Sequence, residues 1–218
     1  MDAKMKAAHL LYVAVLGLAA CCAIARFIRV NLSMKIICLL VLTAALCEII
    51  ALVQNIAGKS NTIIYTCFAF AELIGMCLYF NYSLPPLKKY GLGYILALAV
   101  TILGIRTMAI FQTDAPHVYF TFVKCLLLVT LTFYAAFTKL LPVNETRPWS
   151  TNTHFQIAAL INFYFTGTFM ARGIYDHVPL EPGISLAFIH YTLIAVNSIT
   201  YLAYFYILYR IPHKTKNG

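Results

Sequence analysis

The chain has 218 residues, of which 62% are hydrophobic and 11% are charged, and its formal net charge is +9. A soluble domain carries about 25% charged residues, so this composition excludes a soluble globular protein and predicts an integral membrane protein. The length predicts one transmembrane domain over residues 1–218 and leaves no room for a soluble catalytic or kinase domain. Because the basic residues are scattered between apolar stretches, membrane topology accounts for them better than nucleic-acid binding does.

Apolar stretches of about 20 residues follow one another along the chain, and each is long enough to cross a bilayer as a helix. The breaks between them contain charges and turn-forming residues, and seven of the eight prolines fall in these breaks. The predicted fold class is therefore all-α, a bundle of seven transmembrane helices. Their predicted positions are about 8–30, 34–55, 61–82, 90–111, 117–138, 153–172 and 184–209.

Lysine and arginine predict the orientation, because cytoplasmic loops are enriched in them. With the N-terminus outside, ten would face the cytoplasm and four would face outside. The ten are Arg26, Arg29, Lys35, Lys88, Lys89, Lys139, Arg147, Arg210, Lys214 and Lys216, and the four are Lys4, Lys6, Lys59 and Arg172. We therefore expect an N-out, C-in protein of the cytoplasmic membrane. Its basic segment "YRIPHKTKNG" would contact anionic lipid headgroups or a partner's acidic surface.

Ionisable side chains interrupt five of the predicted helices. A charge in a spanning segment costs several kcal/mol or more when it faces lipid, so such residues face the interior, pair with one another or line water. At a rise of about 1.5 Å per residue, four of them fall in the outer third of the bundle and one lies near mid-depth. The four are Glu48, Arg106, Lys124 and His190, and the deeper one is Glu72, with Asn162 of the sixth helix at a similar depth.

Glu72 is the least expected of these residues, since it lies in the middle of the apolar run "YTCFAFAELIGMCLYF". Arg106, Lys124 or His190 could neutralise it, or it could be held as a neutral acid that donates a hydrogen bond. Tyr65, Glu72 and Tyr79 are spaced by seven and share one helix face.

The last predicted helix repeats this spacing of seven with His190, Asn197 and Tyr204. Polar stripes of this kind predict contacts between helices.

The polar residues lead to the hypothesis of an outward-facing polar cavity that binds a small ligand or senses protons. Its candidate binding residues are Glu48, Glu72, Arg106, Lys124, Asn162, His190 and Asn197. The two glutamates would bind cationic groups, Arg106 and Lys124 anionic ones, and His190 would supply a pH response near neutrality. The alternative is that these residues only hold the helices together.

Several chemistries lack their residues in this sequence. The last predicted helix has no lysine for a retinal Schiff base, and His190 is the one deep histidine, whereas b-type haems need pairs. No zinc motif of the HExxH type is present, and no predicted helix contains an aspartate. We therefore expect no cofactor, no metal and no enzymatic activity, with a small transporter as the first alternative and an intramembrane enzyme as the second.

Three stretches carry a resemblance to a protein family. They are "LTAALCEIIALVQNIAGKSNTIIYTCFAFAELIGMCLYF", "RPWSTNTHFQIAALINFYFTGTFM" and "FIHYTLIAVNSITYLAYF". Together they resemble small bacterial seven-helix membrane proteins, which look like stand-alone versions of the membrane sensor regions associated with histidine kinases. The resemblance implies a sensor-like or accessory signalling protein. Since the chain has no kinase domain, a histidine kinase or another signalling partner would have to supply the output.

Overall fold

The computed structural model describes residues 3–111, 118–140, 152–177 and 182–211, and this part of the chain is helical apart from short turns. Its eight helices are α1 (Ala3–Arg26), α2 (Leu32–Ile56), α3 (Thr62–Ser83), α4 (Pro85–Tyr90), α5 (Leu92–Phe111), α6 (Val118–Leu140), α7 (Thr153–His177) and α8 (Pro182–Arg210). Seven of these described helices have 20 or more residues and follow the order of the seven predicted ones. The prediction of an all-α fold is confirmed.

Six of the helices contain a described stretch that is long and apolar enough to cross a membrane. These stretches are Ala7–Arg26, Leu32–Ile56, Thr62–Ser83, Leu92–Ile110, Phe120–Thr138 and Phe188–Arg210, and none belongs to α7. The outer surface is also apolar, with Leu10, Ile56 and Ile63 each more than two-thirds exposed. Soluble proteins rarely expose large continuous apolar surfaces, so the helices and their outer faces have the pattern of a multi-pass membrane protein.

The long helices pack as a closed ring. α1 contacts α2 and α8, and the chain continues around the ring through α3, α5, α6 and α7. α3 also contacts α6 directly. Leu73, Phe120, Ile161 and Leu208, from four different helices, are fully buried in the core. The ring therefore turns one face of each helix toward a shared interior.

The first two helices are joined where an asparagine caps the second. α1 ends at Arg26, before the predicted end near residue 30, because the chain turns at residues 27–30. The side-chain oxygen of Asn31 accepts a hydrogen bond from the backbone N–H of Met34 at 3.0 Å. This bond satisfies one of the free N–H groups at the start of α2, as asparagine commonly does at an N-cap.

The short helix α4 was not predicted, since its two prolines indicated only a break. Pro85 and Pro86 occupy its first two positions, where the missing N–H groups have no helical partner anyway and the fixed φ suits a helix. Gly91 ends α4 with φ of +63°, a left-handed conformation that glycine adopts without steric cost. The prolines therefore begin a helix in this connection.

Candidate ligand-binding cavity

A cavity of about 500 Å³ lies inside the ring. Residues from α1, α2, α3, α6, α7 and α8 line it, toward the end of the bundle at which α1, α3, α6 and α8 begin. Thr62, the first residue of α3, is part of the lining, so the cavity extends to that end of the bundle. Its size falls within the range of about 300–1,000 Å³ that is typical of small-molecule sites.

A buried ion pair forms one wall of the cavity. Nζ of Lys124 on α6 lies 2.9 Å from Oε2 of Glu72 on α3, and the two side chains are 9% and 8% exposed. The same ammonium lies 5.5 Å from the centre of the Phe165 ring, within the range of a cation–π contact. Lys124 is thus the partner that allows a carboxylate in the middle of α3.

Glu48 occupies a different wall and has a different environment. The Tyr12 hydroxyl donates to Oε1 at 3.0 Å, and the Tyr65 hydroxyl donates to Oε2 at 3.4 Å. Because both oxygens accept hydrogen bonds, the arrangement fits an ionised carboxylate. Among the side chains that the structure describes, those of residues 7–110, 120–138, 152–170 and 188–211, no lysine, arginine or histidine forms an ion pair with Glu48.

Two polar residues of α8 line the cavity as well, His190 and Asn197. Nε2 of His190 is buried and has no hydrogen-bond partner among the described residues. A buried polar atom without a partner costs about 1–3 kcal/mol, so this nitrogen is a point at which a water molecule or a ligand would be stabilised.

The deep end of the cavity is formed partly by Glu72, Tyr164 and Tyr201. These three residues also line a second cavity of about 20 Å³, which reaches Thr200 and Tyr204. One water needs roughly 10–15 Å³ and several polar partners, and Oγ1 of Thr200 is buried with no described partner. The second cavity is therefore the size of a single water site beneath the larger one.

Five of the seven candidate residues lie together around the main cavity, and two lie elsewhere. The five are Glu48, Glu72, Lys124, His190 and Asn197. Arg106 is exposed on α5, and no described residue of α5 lines the cavity. Asn162 accepts a hydrogen bond from Thr166 at 3.0 Å along α7 and is likewise absent from the lining. The expectation of one pocket shared by all seven residues is corrected accordingly.

Several lining residues were not among the predicted ones, chiefly His9, Tyr12, Tyr164 and Phe165. Tyr12 matters most, since it is 5% exposed and makes the shorter hydrogen bond to Glu48. His9 and Tyr12 are three residues apart and therefore share one face of α1. This spacing is the sequence pattern that predicts a polar face of α1 in the cavity wall.

Comparisons with protein-family models, with curated proteins and with solved structures give no match. The fold and the cavity define the class by themselves: a helical, multi-pass membrane protein with a polar cavity inside its bundle.

Proposed function

We propose that this protein is a sensor-like or accessory signalling protein of the cytoplasmic membrane, which binds a small ligand in the main cavity. The observation that carries the proposal is the cavity itself, about 500 Å³ in volume and lined by glutamate, lysine and histidine side chains from five helices. Protein interiors are otherwise close-packed. Polar contacts that served packing alone would therefore not be expected beside an open volume of this size. The output would come from a signalling partner such as a histidine kinase.

In the proposed topology all seven long helices cross the membrane, with the N-terminus outside. α7 has 25 residues and packs between α6 and α8 in the ring, which supports its role as the seventh span. Arg26, Lys88, Lys89 and Arg210 lie at the helix ends opposite the cavity. Because basic residues favour the cytoplasmic side, their position supports a cavity that faces outward.

Thermal unfolding of the purified protein with a panel of small polar metabolites and lipids tests ligand binding. A compound that binds only the folded protein at 100 times its Kd stabilises it by about 2.7 kcal/mol, so a bound compound should raise Tm. His190→Ala should reduce this rise, since Nε2 of His190 lies in the cavity wall. Arg106→Ala is the matched control and should leave the rise unchanged, because Arg106 is exposed on α5. A panel in which nothing raises Tm, or a rise that His190→Ala does not alter, contradicts the proposal.

A small transporter is the second candidate, because polar groups continue beyond the cavity toward the opposite end. Past the single-water cavity, the Tyr79 hydroxyl lies 3.1 Å from Nδ1 of His154, beside a third cavity of about 10 Å³ that includes Ser83. Transport would require this narrow region to open in turn with the main cavity. Counterflow of a stabilising compound in vesicles, lost in Glu72→Gln, would favour transport over sensing.

A further inference from the structure

The described lining of the main cavity has an unequal number of charges. It contains two carboxylates, Glu48 and Glu72, and one permanent cation, Lys124. Lys124 is already paired with Glu72 at 2.9 Å, so these two charges cancel. Glu48 is left as the one described lining charge without a counter-ion.

The environment of Glu48 stabilises its negative charge without neutralising it. Tyr12 and Tyr65 each donate one hydrogen bond to the carboxylate, and a charge-assisted hydrogen bond is about twice as strong as a neutral one. Glu48 is only partly buried and lines the cavity, so its remaining acceptor capacity is available to a ligand. A ligand that donates a charged hydrogen bond is the natural complement to this wall.

The rings around Glu48 add a second preference for a cation. The Tyr12 ring lies 6.1 Å from that of Tyr201 and 5.9 Å from that of His9, between centres. Tyr65 bonds the other carboxylate oxygen and is 42% exposed. The faces of tyrosine rings carry negative potential and attract ammonium groups within about 6 Å.

Lys124 shows that the cavity holds an ammonium group in this manner already. Its nitrogen lies between a carboxylate, Glu72, and an aromatic face, Phe165. The Glu48 wall offers the same two features, a carboxylate and tyrosine rings, and no lysine or arginine whose side chain the structure describes forms an ion pair with it.

We propose that the ligand of the main cavity is a small organic ammonium compound whose charged nitrogen binds Glu48. This inference rests on the proposed ligand-binding function and assigns the chemical class of the ligand. An anionic ligand is disfavoured, because it would lie near Glu48, while the one ammonium group in the described lining is held by Glu72.

The test uses a series of monoamines, from ethylamine to 2-phenylethylamine, each with its isosteric alcohol and the matching carboxylate. Binding to the purified full-length protein is measured by calorimetry and by the rise in Tm. We expect the amines to bind, and the alcohols and carboxylates to bind at least tenfold more weakly. Glu48→Gln should weaken amine binding at least tenfold, whereas Arg106→Ala should not change it.

Glu48→Gln removes a partly buried charge and could prevent folding, so a second variant keeps the test decisive. Tyr65→Lys places an ammonium group on the residue that already contacts Glu48. This internal cation should compete with the amines and weaken their binding at least tenfold, without lowering Tm. Unchanged amine affinity in folded Tyr65→Lys overturns the inference.

The remaining outcomes separate this inference from the proposed function. If the carboxylates or alcohols bind as well as the amines, or if sodium or calcium ions alone produce the Glu48-dependent shift, the ammonium class is wrong although a ligand site remains. If no member of the series and no compound of the wider metabolite panel binds, both proposals are overturned.

Discussion

Glu72 is a charged residue in an apolar helix, and it is tolerated there because Lys124 on a different helix pairs with it. As a whole residue, Glu72 on α3 is 6% exposed, and its partner Lys124 on α6 is 7% exposed. Taking both charges out of water is costly, and their attraction offsets that cost only while both are present. Removing one partner is therefore expected to destabilise the protein far more than replacing both.

A double-mutant cycle at this pair tests that dependence. Lys124→Met should lower the free energy of unfolding by about 3–5 kcal/mol, because it leaves Glu72 buried without a counter-ion. The double variant Glu72→Gln with Lys124→Met should lose less than Lys124→Met alone, since no uncompensated charge remains. Thermal or denaturant unfolding in a fixed detergent measures all four proteins.

Lys59→Met provides the control for removing a lysine as such. Lys59 is exposed in the turn between α2 and α3, and surface substitutions usually change stability by about 0.5 kcal/mol or less. Strictly additive losses in the cycle would show that Glu72 and Lys124 do not interact.

At the residue scale, the sequence predicted depth along a helix better than it predicted the face of the helix. Counting residues from the predicted ends set Glu48, Lys124 and His190 at one level, and the structure has all three in the cavity wall. Arg106 has a comparable depth but an exposed position on α5. α5 is apolar nearly all round, so no periodic pattern indicated which side of it faces the interior.

At the scale of the helices, close approach depends on glycine at a few positions. A Cβ atom added to Gly104 on α5 would lie 2.6 Å from Phe120 on α6 and 2.7 Å from Phe70 on α3. Phe120 is fully buried and cannot move aside easily. Gly104 therefore allows α5 to pack against two neighbours at once.

Gly104→Ala should lower the free energy of unfolding by about 1–3 kcal/mol, the usual cost of an overpacked core. Gly17→Ala is the matched control, because Gly17 is also within a helix but has no atom within 4 Å of the added Cβ. Alanine is favoured over glycine in a helix by about 0.5–1 kcal/mol, so this variant should be neutral or slightly more stable. Equal effects of the two substitutions on Tm would contradict the packing argument.

Helix existence was predictable at this scale, whereas helix ends and the short helix α4 were not. Six of the seven long helices contain a described apolar stretch that identifies them regardless of tertiary contacts. α4 has six residues, too few for a hydropathy pattern, and proline is compatible with both a break and a first turn. Only its geometry, from Pro85 to the left-handed Gly91, distinguishes the two.

At the scale of the whole molecule, the cavity and the α2–α3 turn lie at one end of the bundle, because the first residue of α3 lines the cavity. The short helix α4 follows the last residue of α3 and lies at the other end. Closure of the ring could not be predicted from the sequence, because the contact between α1 and α8 joins segments about 180 residues apart. One such contact is a hydrogen bond of 2.8 Å from Nη2 of Arg26 to the backbone oxygen of Tyr209.

The proposed N-out orientation predicts which loops a reagent can reach from outside. Lys59→Cys in the α2–α3 turn should react with a membrane-impermeant maleimide on intact cells, whereas Lys89→Cys in α4 should react only after the membrane is permeabilised. Both lysines are exposed, so the contrast measures sidedness. The unmodified protein, whose seven cysteines lie within the predicted spans, corrects for background labelling. The reverse pattern would place the cavity on the cytoplasmic side.

The ion pair between α3 and α6 has a consequence for how the protein is made. Glu72 and Lys124 are 52 residues apart in the chain, and at about 5–20 residues per second a ribosome needs roughly 3–10 seconds to cover that distance. During this interval α3 reaches the insertion machinery with a carboxyl group whose counter-ion has not yet been synthesised. Until α6 arrives, water in the translocation channel or a bound proton has to stabilise that group, so α3 depends on its insertion machinery in a way that an entirely apolar helix does not.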